Sequence, residues 1–328
     1  MSPSKSGSAS STLAELSSQL AAAVETASNS IVAIHARRRI PSSGIVWRDG
    51  VIVSASHTVK RDDETPVTLP GGETTTATII GRDSATDLIA LRVDGAKSHV
   101  APRADADAVR IGSLVLAVGR PGRDVAASFG IISAIADGWR TWQGARIDRV
   151  LRLDLAVYDG FSGGPLVDAS GAVLGLNNSA LARGTPMALP AKAIDRVVDE
   201  LLERGHVRRP FIGVAVQPVA LSASLVKQHE LARDTALLIV SVADGSPAEK
   251  AGIFVGDVLL EANATALSRP TDLLDALSSV GSGDSIKLKY LRGGAVKSGS
   301  VTPSDRGGRE RTSPRWALHG RRHQVSTE

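Results

Sequence analysis

The sequence predicts a mainly β protein: a barrel or sandwich of short strands, followed by a small α/β module. Three observations carry that reading. From Ile31 onward the apolar residues come in short runs punctuated by turn residues. Helical spacing is confined to a few stretches, at Thr12–Ala27, Ala191–Arg204 and Thr271–Val280. Hydrophobic content is 42% but aromatics only 3%, so the cores must be built from Val, Leu, Ile and Ala. At 328 residues the chain is long enough for two domains.

Met1 to Ser11 is Ser-rich and reads as disordered. Thr12 to Ala27 places Leu13, Leu16, Leu20 and Val24 at helical spacing. Strand-like runs follow at Ile31–Ile34, Gly44–Trp47 and Gly50–Val53, with turns at Pro41-Ser42-Ser43 and Asp49-Gly50. His57 stands at the end of the third run. Next come Val67-Thr68-Leu69, a Gly71-Gly72 turn and a Thr-rich strand through Ile80. Asp87 precedes the apolar Leu88-Ile89-Ala90-Leu91. Further strands are Ser113–Val118, Ser128–Ile135, Arg149–Leu155, Pro165–Asp168 and Ala172–Leu176, with a turn at Gly119–Gly122. The helix Ala191–Arg204 turns Ile194, Val197, Val198, Leu201 and Leu202 to one face, and Gly205 is its C-cap.

Charge excludes one class of partner. The net charge is +4, of which residues 303–328 hold six Arg against Asp305, Glu310 and Glu328. The rest carries 32 basic against 31 acidic residues, so no nucleic-acid groove is indicated in the folded part. There is no cysteine, hence no disulfide and no Cys-ligated metal. No apolar run reaches the ~18 residues of a membrane span, and the first residues lack the basic and apolar regions of a secretory signal. As written, the chain is expected in the cytoplasm. His319 and His323 have i,i+4 spacing but read as part of a solvated basic tail, so no metal and no cofactor are expected.

The chemistry concentrates in Gly160-Phe161-Ser162-Gly163-Gly164-Pro165. A serine hydroxyl is a weak nucleophile at neutral pH; it needs a base and fixed donors for the oxyanion it creates. Gly160 can turn its N–H inward at no Cβ cost, so the N–H groups of Gly160 and Ser162 suit an oxyanion hole. His57, Asp87 and Ser162 supply a base, a carboxylate to orient it and a nucleophile, separated by 30 and 75 residues. Its first five residues, Gly160 to Gly164, also fit the nucleophile elbow of α/β-hydrolases. Context excludes that reading, because a proline and two short strands follow the serine where an elbow needs a helix.

Ser-Ala-Ser-His57, Asp83-x-x-x-Asp87-Leu-Ile-Ala-Leu and Gly160-x-Ser162-Gly-Gly-Pro together resemble the three motifs of trypsin-like serine proteases. They are most similar to the HtrA/Deg branch, in which a PDZ domain follows the protease domain. The resemblance covers residues 28–302. It implies a chymotrypsin-like double six-stranded β-barrel, with His57 and Asp87 from the first barrel and Ser162 from the second. Phe161 departs from the family's usual Asn or Asp. Ala156 falls at the base of the specificity pocket, where it implies small or medium apolar side chains rather than Arg or Lys. Ser179-Ala180 would lie on the strand that pairs with substrate backbone.

The domain expectation is an N-terminal segment 1–27, a protease domain 28–205, a PDZ domain 206–303 and a basic disordered tail 304–328. Phe211-Ile212-Gly213-Val214 resembles the carboxylate-binding loop of a PDZ domain, which receives a C-terminal peptide as an added strand. Ser246–Ile253 with Gly256–Leu259 is the strongest PDZ stretch, and Thr271–Val280 is the helix flanking its groove. Asn263-Ala264 replaces the frequent Asn-Gly turn.

The resemblance implies a cofactor-independent serine endopeptidase acting in protein quality control. Its partners would be polypeptide substrates, C-terminal peptides at the PDZ groove and copies of itself in a homotrimer. Family trimers are pinned by N-terminal aromatics, and none precedes Trp47. Such proteins are usually extracytoplasmic. The alternative from another class is a latent or inactive protease-like scaffold that binds peptides. A third reading, nucleic-acid binding through the tail, requires residues 304–328.

Overall fold

The computed structural model describes residues 7–60, 64–94, 99–141, 145–182, 185–281 and 283–305. The chain divides between Val207 and Arg208 into two compact units.

In the first unit, helix α1 (Gly7–Ser28) precedes twelve strands and helix α2 (Ala191–Arg204) follows them. Strands β1 (Ile31–Ile34), β2 (Ser42–Arg48), β3 (Val51–Ala55), β4 (Thr65–Thr68), β5 (Thr74–Asp83) and β6 (Leu88–Arg92) close into a barrel of order β1-β2-β3-β6-β5-β4. Strands β7 (Leu114–Gly119), β8 (Ala126–Arg140), β9 (Arg146–Asp154), β10 (Pro165–Val167), β11 (Val173–Asn178) and β12 (Met187–Pro190) close a second, β10-β11-β12-β9-β8-β7. The chain therefore carries the predicted pair of six-stranded barrels. Val, Ile and Leu suit this pleated, two-sided burial because β-branched side chains pack well on it. Val32, Ile52 and Leu91 fill the first barrel; Val115, Ile132 and Leu174 fill the second.

A third apolar cluster joins both barrels to the helices, through Ala27 of α1, Trp47, Val118, Leu189 and Ile194, Val198 and Leu201 of α2. Each Val, Leu or Ile buried here contributes about 1.5–3 kcal/mol. The indole of Trp47 donates to Asp195 at 2.9 Å, and Arg103 lies over its ring while pairing with Asp195 at 2.6 Å. Gly205 caps α2 in the left-handed region, at φ 75°.

Two local expectations change. The N-terminal helix starts at Gly7, not Thr12, so the predicted disordered segment is shorter; what remains of it lies outside the described residues. The α1 residues Ala23 and Ala27 are buried and anchor the C-terminal end of the helix; Thr12 to Gln19 are exposed, and the helix extends back from its anchored end because each added residue brings one more hydrogen bond. Ser42 and Ser43 do not form a turn but open β2, fully buried.

In the second unit the elements in chain order are β13 (Pro210–Phe211), β14 (Val214–Ala220), α3 (Ala223–Gln228), β15 (Thr235–Val242), α4 (Pro247–Lys250), β16 (Val258–Ala262), β17 (Thr265–Ala266), α5 (Pro270–Ser278), β18 (Ile286–Arg292), β19 (Ala295–Val301) and β20 (Ser304–Asp305). The main sheet runs β14-β15-β16-β18-β19, which leaves β14 at an edge. Helix α5 packs beside β13 and β14. Its Leu273 and Leu277 are buried, while Leu274 is 38% exposed. Ser304 and Asp305, expected to open the tail, instead pair with Phe211 and Pro210. The tail beyond them, with His319 and His323, lies outside the described residues. Asn263 and Ala264 both have positive φ, 46° and 64°, a type I′ turn.

Candidate active site

The register of β3 against β6 closes the first sequence gap. Ala55 pairs with Leu88, so the residues just beyond each strand end meet. His57 sits in a 3-10 turn, Ser56–Thr58, after β3. Asp87 ends a turn folded by Asp83, whose carboxylate accepts from the Thr86 hydroxyl at 2.6 Å and from the Ala85 and Thr86 N–H groups. That turn leaves Asp87 at φ 56°, a left-handed conformation rare outside glycine and a recurrent mark of functional sites.

Asp87 is saturated with donors. One carboxylate oxygen accepts the His57 backbone N–H at 2.7 Å. The other lies 2.5 Å from His57 Nδ1 and 2.8 Å from the Asn178 amide nitrogen. Its carbonyl accepts from Ser56 N–H at 2.8 Å. With Nδ1–H donating to the carboxylate, Nε2 is left as the acceptor of a proton.

Ser162 is carried on the turn before β10 and is buried apart from 6% of its surface. The turn reaches the first barrel at Gly163. A Cβ there would stand 2.2 Å from Ser54 Oγ and 3.0 Å from the Ala55 nitrogen, and φ is 92°, so only glycine fits. Two consecutive residues bridge the halves of the site: Asn178 binds Asp87, and Ser179 Oγ lies 2.9 Å from Ser162 Oγ. Among the described residues no hydrogen bond joins Ser162 to His57.

The donors around Ser162 are aimed by the backbone. Gly160 has φ 89°, and a Cβ there would lie 2.7 Å from Pro121 Cβ and 2.8 Å from the Pro41 oxygen. Its carbonyl accepts from Ser43 Oγ at 2.6 Å, and that hydroxyl in turn accepts from Arg120 N–H at 2.8 Å. Phe161 N–H closes a turn onto the Tyr158 carbonyl, and the Phe161 carbonyl accepts from Gly164 N–H at 2.9 Å. In a trans peptide N–H and C=O point opposite ways, so the Ser162 N–H faces away from that turn. The N–H groups of Gly160 and Ser162 meet no acceptor among the described residues. Phe161 is 1% exposed and meets the Tyr158 ring edge-on at 5.4 Å. Burial holds the Arg120 guanidinium below its ordinary pKa; its Nε–H donates to the Ile31 carbonyl at 3.0 Å.

The structure thus brings His57 and Asp87 into contact and sets the Ser162 turn, through Gly163, against Ser54 and Ala55 at the end of the strand that leads to His57, while Gly160 lies against Pro41 and Ser43. Ser179 and Ala180 are not on a strand: β11 ends at Asn178, and both are exposed in the bend beyond it, because Asn178 folds back to accept the Ala180 and Leu181 N–H groups. Ala156 is exposed, its N–H donating to Ser128 Oγ at 3.1 Å. Sequence reasoning missed Asn178, Asn177 and Ser43. The signal was present: two asparagines end the apolar run Val173-Leu-Gly-Leu, and buried amides require partners. Asn177 donates to the Pro165 carbonyl at 2.7 Å and accepts Gly163 N–H through its own carbonyl, which fixes the Ser162 turn.

Phe211 is paired in β13, Ile212 is 2% exposed, Gly213 has φ 88° and Val214 opens the edge strand β14. The N–H groups of Ile212 and Gly213 meet no acceptor among the described residues, while their carbonyls accept from Ala248 and Ala243. No cluster of three or more His, Asp or Glu suited to a metal occurs among the described residues.

Residues 42–176 match the family model of the trypsin-like peptidase domain, and residues 210–302 that of the PDZ domain. A probable periplasmic serine endoprotease, DegP-like, of Brucella suis is 34% identical over 292 residues, 83% of this chain and 55% of the relative. The chain spans about half the length of the curated relatives it matches. The serine endoprotease from Yersinia pestis superposes with a TM-score of 0.70 at 26% identity, over 87% of this chain and 97% of that one. The HtrA-type protease AlgW with tripeptide gives 0.68 at 26% identity, over 88% and 97%. Among the described residues no helix is long and apolar enough to cross a membrane. The relatives are named periplasmic, and the cytoplasmic expectation gains no support from them.

Proposed function

The chain belongs to the HtrA/Deg-type trypsin-like proteins with a C-terminal PDZ domain, and on that premise we propose that it is a serine endopeptidase acting on polypeptides in protein quality control. Ser162 Oγ adds to the scissile carbonyl carbon while its proton passes to His57 Nε2. Asp87 keeps the imidazole in the right tautomer and stabilises the imidazolium. The N–H groups of Gly160 and Ser162 take the oxyanion. The C–N bond then breaks as His57 returns the proton to the leaving amine. Water hydrolyses the Ser162 ester by the same sequence, releasing the acid.

One observation carries this reading: His57 is locked onto Asp87 at 2.5 Å beside a serine turn whose two donors are unoccupied. The same observation weighs against the inactive scaffold, which requires a collapsed oxyanion hole. The test is casein hydrolysis and fluorophosphonate labelling of the full chain. Both are expected to vanish in Ser162→Ala; hydrolysis that persists unchanged there overturns the mechanism.

The edge strand β14 and the unpaired N–H groups of Ile212 and Gly213 support capture of a C-terminal peptide as an added strand, its carboxylate received at Phe211–Val214. A peptide with a free C-terminus is expected to bind more tightly than its amide, as fluorescence anisotropy reads. Ala156 is read as admitting small or medium apolar side chains, and Ser179-Ala180 as flanking the substrate backbone; a cleavage-site library tests both. Location outside the cytoplasm follows the relatives' names, and cell fractionation checks it. Sedimentation equilibrium checks the homotrimer that the family resemblance implies.

A further inference from the structure

Between β1 and β2 the chain carries Arg37, Arg38 and Arg39, three consecutive exposed arginines with no ion pair or hydrogen bond among the described residues. Both ends of this loop are anchored. At one end, His35 Nε2 lies 2.8 Å from Thr68 Oγ1. At the other, the loop presses on the oxyanion turn: a Cβ on Gly160 would lie 2.8 Å from the Pro41 oxygen and 3.1 Å from Ile40 Cγ2. Ser43, at the start of β2, holds the Gly160 carbonyl at 2.6 Å. The arginines therefore end immediately before Ile40-Pro41, the segment that touches the turn of the nucleophile.

Ser162 is flanked unequally. On one side lies the bend at Ser179-Ala180, hydrogen-bonded to Ser162 itself. On the Gly160 side lies the loop 35–41. A polypeptide whose acyl half runs beside Ser179-Ala180 leaves Ser162 past Gly160 and meets the loop with the residues after the scissile bond. The one acidic residue within the turn, Asp159, is exposed and sets a single negative charge against three positive ones.

Resting on the endopeptidase reading, we propose that Arg37, Arg38 and Arg39 form a docking site for an acidic segment of the polypeptide on the leaving-group side of the scissile bond. Guanidinium groups pair with carboxylates through parallel N–H donors, which suits Asp- and Glu-rich segments. Because the site is exposed, the preference is a salt-sensitive one.

The test uses the full chain and two C-terminally amidated peptides with the same acyl half; the amide removes the carboxylate that a PDZ loop would bind. One carries Asp and Glu after the scissile bond, the other Ser and Gln. Binding to Ser162→Ala is read by anisotropy and turnover by wild type. The acidic peptide is expected to bind about tenfold more tightly at ~50 mM NaCl and to lose most of that advantage at ~0.5 M. Replacing all three arginines by Ser abolishes the preference; replacing them by Lys retains part of it. Equal affinities at low salt overturn the proposal, as does a preference that survives the Ser replacements. So does loop-dependent binding of a single-stranded oligonucleotide without any preference between the peptides. An acidic preference in binding without any turnover upholds the docking site and overturns the endopeptidase reading, so the two failures are distinguishable.

Discussion

Ser162 and Ser179 share a hydrogen bond, Oγ to Oγ at 2.9 Å, while His57 is held by Asp87. On the endopeptidase reading, the nucleophile's hydroxyl is thus engaged by a neighbour that is not a base. One such bond is worth about 1 kcal/mol, or about fivefold in a rate. Ser179→Ala is expected to raise the rate of fluorophosphonate labelling about fivefold, as stopped-time labelling measures; a rate at or below wild type contradicts the resting role assigned to this bond.

Asn178 is expected to act through Asp87. Its amide donates to the carboxylate at 2.8 Å and its oxygen caps the Ala180 and Leu181 N–H groups. Asn178→Leu leaves those groups unpaired and is expected to cost about 1–3 kcal/mol of stability, read as a lowered urea midpoint. Asp87→Asn keeps the shape but loses the tautomer control, so kcat is expected to fall about 10⁴-fold, with KM little changed.

Gly160→Ala is expected to cost about 10²–10³ in kcat, the effect of losing one oxyanion donor. The added Cβ meets Pro121 and the Pro41 oxygen at 2.7 and 2.8 Å, and φ 89° disfavours any side chain. A variant that folds, shown by an unchanged melting curve, yet labels at the wild-type rate would remove Gly160 from the site.

What the sequence revealed follows from chemistry that only a few residue types can perform. His57, Asp87 and Ser162 stood out because a base, a carboxylate and a Gly-flanked serine are each scarce at strand edges. The barrels were legible through short Val/Ile/Leu runs, and α2 through its apolar face and Gly205. Register was not legible: that Ala55 meets Leu88 depends on pairing between distant segments. Asn178 was missed because an asparagine looks like a turn residue until its burial is known. The placement of Ser179 on a strand failed for the same reason, since Asn178 itself folds the chain away. The expected start at Thr12 falls five residues inside α1, because a helix anchored at Ala23 and Ala27 propagates back through residues whose own propensity is weak.

Acid is expected to weaken the second unit. Burial pushes the Asp257 carboxyl up, but the Arg292 pair at 2.6 and 2.7 Å and the Phe254 N–H outweigh it and hold it below 3.8. For Asp272 burial likewise raises, and the Ser268 and Arg269 N–H groups win. Carboxyls depressed in the folded state contribute stability that is full above the ordinary pKa and lost as pH falls through the folded one. The urea midpoint of this unit is therefore expected to drop between about pH 4 and pH 2, and Asp257→Asn to flatten that drop while costing about 1.5–3 kcal/mol at neutral pH.

Ala264 sits at φ 64° in the turn between β16 and β17. A left-handed alanine costs about 1 kcal/mol, which glycine avoids. Ala264→Gly is expected to raise the melting temperature of the second unit by a few degrees; a lower value would mean that backbone entropy outweighs the relieved strain.

On the endopeptidase reading, the split of the site between two barrels sets when a growing chain becomes reactive. A chain released from the ribosome only as far as the first barrel holds His57 and Asp87 but not yet Ser162. Ser162 acquires its fixed turn once β11 supplies Asn177 and Asn178, and the second barrel closes when β12 ends at Pro190. On the endopeptidase reading, a nascent fragment or a product truncated before that point lacks the assembled triad. On that reading, self-protection during synthesis is written into strand order.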